Sequence, residues 1–106
     1  MKIKKTIQET IIREIDVEIE QFPFYLKKIK STDGVMYIHK IIHQPESKIF
    51  PFKMISVRKI DENYSSIDRQ LLADSELNRI YSASVEVSED DFYNELSQAI
   101  EFFKSY

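Results

Sequence analysis

The chain has no cysteine and a single glycine, Gly34, among its 106 residues, and each shortage removes a class of chemistry. Without thiols there is no disulfide and no thiolate metal site, which fits a reducing compartment. Loops that cradle phosphates or dinucleotides need two or three glycines so that the backbone can approach the ligand. A parallel nucleotide-binding fold is therefore not expected. No run approaches the roughly 20 apolar residues that span a bilayer. The basic start, Met1 to Thr6, resembles that of a signal peptide, but Gln8, Glu9, Arg13 and Glu14 interrupt the apolar stretch that would have to follow. The expectation is a cytoplasmic protein with no membrane partner.

What is present describes a folded domain. Hydrophobic residues make up 42% and charged residues 31%, and 7 Phe and 6 Tyr supply large rings for a small core. This length fits one domain, residues 1–106, with a modest interior.

Hydrophobic periodicity organises the chain. Over residues 6–20, Ile11, Ile15, Val17 and Ile19 share one parity and Glu14, Asp16, Glu18 and Glu20 the other, the mark of a half-buried strand. Thr6 and Glu9, with Ile7, Ile11 and Ile15 at helical spacing, leave a helix open for the earlier part, although β-branched side chains favour strand. Residues 24–30 and 35–43 flank Ser31-Thr32-Asp33-Gly34 and read as a β-hairpin, because Asp-Gly tolerates left-handed turn geometry. A further strand is expected over 52–60, with Pro51 at its start or on a sheet edge. After it come a loop over 61–66, a short helical turn over 67–73 and a strand through 80–87. The last element is the clearest. Ser88 is a good N-cap, and Glu89, Asp90 and Asp91 suit the positive end of a helix. Phe92, Leu96, Ala99, Ile100 and Phe103 then form one apolar stripe. The fold class expected is α+β: a small antiparallel sheet of four to five strands with one amphipathic C-terminal helix on one face.

Charge is unevenly spread. Residues 27–60 carry Lys27, Lys28, Lys30, Lys40, Lys48, Lys53, Arg58 and Lys59 against Asp33 and Glu46, whereas residues 61–106 carry three cations against eleven acids. Phe24, Tyr25, Tyr37, Phe50 and Phe52 interleave with the basic residues. Exposed rings beside cations hold single-stranded nucleic acid by stacking and phosphate pairing. The plainer reading makes the rings core and the lysines the solvated face of the same strands, and the overall acidity weighs against a dedicated nucleic-acid binder. An acidic protein partner would satisfy the same residues. The candidate binding set is Lys27, Lys28, Lys30, Tyr37, Lys40, Lys53, Arg58 and Lys59.

Catalytic chemistry has few carriers. His39 and His43 lie four apart on an expected strand, which separates them by about 13 Å, too far for one ion to bridge. Glu86, Glu89, Asp90 and Asp91 cluster in sequence, but metal catalysis needs carboxylates converging from separate elements. The serines lack a nucleophile-elbow context. No catalytic residue, metal or cofactor is implied, although an enzyme or small-ligand site created only by the fold stays open. Tyr93, Phe102 and Tyr106 fall beside or opposite the helix stripe and are candidate interface residues. They support a homodimer joined through the C-terminal helix, because the acidic face of residues 14–20 would repel its own copy.

The segments Val17-Glu18-Ile19-Glu20-Gln21-Phe22-Pro23-Phe24-Tyr25 and Val85-Glu86-Val87-Ser88-Glu89-Asp90-Asp91-Phe92 resemble short uncharacterised α+β proteins of Bacteroidetes genomes and mobile elements. The resemblance covers about a quarter of the chain and carries over no activity or site residues. It implies a phage or mobile-element protein that binds a host component. The function expected is non-enzymatic interaction through a protein surface, with single-stranded nucleic-acid binding over 27–60 as the alternative.

Overall fold

The structure is a computed structural model that describes residues 2–8, 12–18, 22–30 and 34–105. Strands β1 (Lys2–Gln8) and β2 (Ile12–Glu18) form a separate two-stranded antiparallel sheet. Strands β3 (Phe24–Lys30), β4 (Val35–His43), β5 (Phe52–Ile60) and β6 (Asn63–Leu72) form an antiparallel meander. Helix α1 (Asp74–Ser82) follows, then β7 (Val85–Val87) and helix α2 (Glu89–Lys104). The order β6-β5-β4-β3-β7 makes a five-stranded sheet in which the last strand returns to the free edge of the first. The α+β class and the strand number agree with the reading of the sequence.

The central strands are apolar on both faces. Alternate side chains of a strand point to opposite sides, so Phe24, Leu26, Ile41, Phe52, Met54 and Leu72 share one face, where Leu77 and Tyr81 of α1 cover them. Tyr25, Ile38, Val57 and Tyr64 lie on the other, covered by Phe92 and Ala99 of α2. The C-terminal helix covers one face as expected. The second helix, on the opposite face, was not foreseen.

Four local expectations are corrected. Residues 6–20 are not one strand: β1 ends at Gln8 and β2 runs from Ile12, with Ile11 and Ile19 outside the described residues. The loop at 61–66 is a tight turn at Asp61 and Glu62, where Asp61 adopts φ 55°. From Asn63 the chain is strand to Leu72, so no helical turn occupies 67–73. The strand placed over 80–87 is the end of α1 followed by the three-residue β7. Strand β6 reads as loop because it is an edge strand. From Ser65 to Leu71 nearly every side chain is exposed, so polar residues carry no burial penalty there. Strand β5, which follows Pro51, lies inside the sheet between β4 and β6 rather than at an edge.

The turns and caps follow from residue chemistry. Gly34 sits at φ 68°, the left-handed region favoured by glycine, while residues 31–33 of that turn lie outside the described residues. Ser88 Oγ accepts from the Asp91 amide at 3.1 Å, and the Asp91 carboxylate accepts from the Ser88 amide at 3.3 Å. Helix α1 starts at Ala73, which has no side-chain acceptor, but Glu76 Oε1 accepts from the Ala73 amide at 3.1 Å. Leu77, Ile80 and Tyr81, at i, i+3 and i+4, give α1 its apolar face. Leu77 is fully buried, so Leu77→Ala should cost about 2–5 kcal/mol of stability, read as a lower urea midpoint.

Candidate functional site

Strand pleating divides the basic residues between the two faces of the sheet. Lys28, Tyr37 and Arg58 stand in one cross-strand row on the α1 side, since Lys28 pairs with Tyr37 and Tyr37 with Arg58. Lys27, Lys40, Lys53 and Lys59 have the opposite parity and belong to the α2 side. Lys30 is the last residue of β3, opposite Val35. The seven candidate residues whose side chains are described thus form two groups rather than one surface. The rings Phe24, Tyr25 and Phe52 are buried, which leaves them unavailable for stacking on a base.

On the α1 side a hollow opens where the helix stops. A nine-residue helix is about 14 Å long, whereas nine-residue β4 spans about 30 Å, so α1 leaves part of its face uncovered. Lys28, Tyr37, His39, Arg79, Ile80 and Ala83 line a pocket of about 260 Å³ there. No acidic residue is among these described lining residues. His39 is buried, with Nδ1 2.6 Å from Ser56 Oγ and its ring stacked on Tyr37. Burial, reinforced by the Lys28 charge, pushes its pKa down to about 4, so the ring is neutral at neutral pH. Arg58 lies over the Tyr37 ring, 5.9 Å from its centre, and its buried Nε has no hydrogen-bond partner.

Among the described residues no carboxylate orients the His39–Ser56 pair. Both residues are buried, and the nearest acid in that row, Asp68, pairs with Ser56 across the strands rather than with His39. Its carboxylate instead accepts from Ser66 Oγ at 2.7 Å. His43, at the far end of β4, packs on Phe22 and Phe52. Among the described residues no three His, Asp or Glu side chains are grouped to hold a metal.

The α2 side carries a second surface. At about 100° per residue, Phe92 and Ala99 mark the helix's inward direction. Glu95, Gln98 and Phe102 lie on one flank, and Tyr93, Leu96, Ile100 and Phe103 on the other. The first flank is engaged: Tyr64 donates its hydroxyl to Glu95 Oε2 at 2.6 Å, with Gln98 Oε1 at 3.1 Å, and Phe102 packs edge-on against the Tyr64 ring. Phe102, a candidate interface ring that could equally belong to a wider buried face, is half-buried against the core. On the second flank Tyr93, Ile100 and Phe103 stay 36%, 41% and 38% exposed. Ile100, expected to be inward, lies at the exposed side of the stripe, whereas Phe103 keeps the angular direction of Phe92 and is exposed in the last turn of α2. Lys40 Nζ donates to the Tyr93 hydroxyl and lies 5.0 Å from its ring centre, which fixes this flank above the row Tyr25, Lys40, Ile55 and Arg69. The next row toward the sheet end holds Ile42, Lys53 and Leu71. Tyr106 lies outside the described residues.

Elsewhere on this side Lys59 covers the Tyr64 ring at 5.0 Å. Lys27 shares a mixed-charge pocket with Asp91 and Glu95. Burial raises the Tyr25 pKa to about 12 and holds Tyr64 and Tyr81 above the ordinary tyrosine value, helped at Tyr64 by its bond to Glu95. These hydroxyls stay protonated at neutral pH, and that of Tyr64 is a donor. Sequence reasoning missed Arg79 and the roles of His39, Ile100 and Phe103. Only the fold brings Arg79 opposite Lys28, and nothing in the local pattern signals it.

No protein-family model matches this sequence, no curated protein matches it, and no solved structure matches its fold. Among the described residues no helix is long and apolar enough to cross a membrane.

The buried imidazole has a measurable consequence. His39 drops from about 6.5 to about 4 on folding, so between those pH values the unfolded chain binds more protons than the native one. Stability that is fully present above about pH 6.5 is lost as pH falls toward 4, by about 1.4 kcal/mol per pH unit from this group. His39→Gln should remove that increment from the slope of unfolding free energy against pH, measured by urea denaturation from pH 4 to 7.5.

Proposed function

We propose that the chain is a non-enzymatic cytoplasmic binding protein that holds an acidic, amphipathic segment of a protein partner against the exposed flank of α2. The observation that carries this reading is the exposed apolar area of Tyr93, Ile100 and, in the last turn, Phe103. A helix serving only the core does not need an apolar arc this wide, and aromatic and aliphatic anchors with a polar rim are what protein interfaces use. The exposed Leu71 extends the apolar area across the sheet. Lys40, Lys53 and Arg69 stand in the same two rows, so the rim is basic and an acidic segment complements it. A symmetric contact with a second copy would bring these cations against their own images. That favours a different partner over the homodimer. The resemblance to mobile-element proteins makes a host protein the natural source of such a segment.

Single-stranded nucleic acid is the weaker reading, because the basic strands present their lysines on two faces and most of their rings inward.

The test uses two synthetic 18-residue amphipathic helices with the same leucine face, one with glutamates on the polar face and one with lysines. The glutamate peptide should bind saturably by fluorescence anisotropy, and the lysine peptide at least tenfold more weakly. Ile100→Asp should weaken the glutamate peptide at least tenfold while leaving circular dichroism and the urea midpoint near wild type. Equal binding of both peptides, or no effect of Ile100→Asp, overturns the reading. Tighter, salt-sensitive binding of a single-stranded oligonucleotide does so in favour of nucleic acid. Light scattering at twice 12.6 kDa would assign the surface to a second copy.

A further inference from the structure

We propose that the hollow at the end of α1 is a binding site for a small phosphomonoester, held by Lys28 and Arg79 with its organic part against Tyr37 and Ile80. This site is on the opposite face from the α2 flank and stands independently of the function proposed above.

Charge is the first reason. Among the described residues, Lys28 and Arg79 line the pocket, no carboxylate does, and neither cation has an ion-pair partner. His39, the remaining titratable wall residue besides Tyr37, is neutral. Two unpaired cations match a phosphomonoester, which carries between one and two negative charges at neutral pH. A carboxylate would offset only one of them. Arginine adds a planar fork of donors that fits two phosphate oxygens, while lysine contributes a point charge.

Shape is the second. At about 260 Å³ the hollow lies below the range of about 300–1,000 Å³ typical of drug-sized ligands. That excludes a dinucleotide and suits a phosphate on one small ring. Tyr37, held between the His39 ring and the Arg58 guanidinium, offers a fixed aromatic wall, and Ile80 and Ala83 an apolar one.

The negative end of α1 does not oppose this. Its last carbonyls are already occupied: Ala83 N–H donates to the Arg79 and Ile80 oxygens, Ser84 N–H to the Tyr81 oxygen, and Ser84 Oγ to the Ile80 oxygen at 2.7 Å. Ser56 Oγ, hydrogen-bonded to Nδ1, leaves Nε2 as the ring nitrogen not engaged by Ser56.

The experiment is calorimetric titration of the full chain with phenyl phosphate at pH 7.5 and low salt. Saturable one-to-one binding is expected, with inorganic phosphate and benzoate each at least tenfold weaker and phenol without detectable heat. Arg79→Gln and Lys28→Gln should each weaken phenyl phosphate at least tenfold. Lys53→Gln, on the other face, and Ile100→Asp, at the proposed protein surface, should leave it unchanged, so failure of one site is separable from failure of the other. Arg79 is exposed, so its variant reports on binding even where Lys28→Gln perturbs folding. No saturation up to millimolar ligand overturns the proposal, as does an unchanged affinity in Arg79→Gln or an equal loss in Lys53→Gln. A free metabolite and a phosphorylated side chain share this head group. Tighter binding of a phosphotyrosine tetrapeptide than of phenyl phosphate assigns the second source, and weaker binding the first.

Discussion

The structure depends on covering one sheet from both sides. Antiparallel sheets commonly leave one face in water, and strands of that kind alternate apolar and polar residues. Here β3, β4 and β5 carry buried apolar side chains at both parities: Phe24 and Leu26 against Tyr25, Ile41 against Ile38, Met54 against Val57. Neither face can be left bare, so the chain after β6 must supply a helix to each. The ten residues from Ala73 to Ser82 dock on one side, a short β7 extends the sheet at β3, and the remaining helix docks on the other. The order β6-β5-β4-β3-β7 is the path that lets two consecutive helices reach opposite faces.

Unequal helix lengths then determine where the sheet is accessible. Helix α2 has 16 residues and α1 has 9, so α2 reaches from Tyr25 to Tyr64 while α1 stops short of the row Lys28, Tyr37 and Arg58. Polar and charged strand residues collect in the uncovered rows, where water or a ligand can meet them. The hollow beside His39 is the consequence, and His39 itself marks its boundary: buried enough to lose its proton, yet part of the pocket wall.

Local sequence carried the elements whose signal is local. The N-cap Ser88 with three acids, the β3–β4 hairpin with Gly34 at its turn and the runs 35–43 and 52–60 all announce themselves within a few residues, because capping, backbone freedom and strand alternation are short-range constraints. Strand β6 was obscured by Ser65, Ser66, Asp68, Arg69 and Gln70, which an exposed edge tolerates and which read as loop. Helix α1 was obscured because Leu77, Ile80 and Tyr81 are a single turn's worth of pattern, too short to separate from a strand's apolar run. The basic residues were legible as charges but not as a surface, since adjacent residues such as Lys27 and Lys28, or Arg58 and Lys59, point to opposite sides.

The sequence by itself determined the class of the fold, one capped terminal helix on an antiparallel sheet, and the absence of thiol and glycine-loop chemistry. These rest on residue type and spacing alone. Tertiary structure decided that both faces are covered, that Phe102 packs on the core while Ile100 stays exposed, and that Arg79 and Lys28 line one pocket. Those outcomes depend on the register between strands and on where each helix ends over the sheet, and neither quantity is written in any local stretch of the chain.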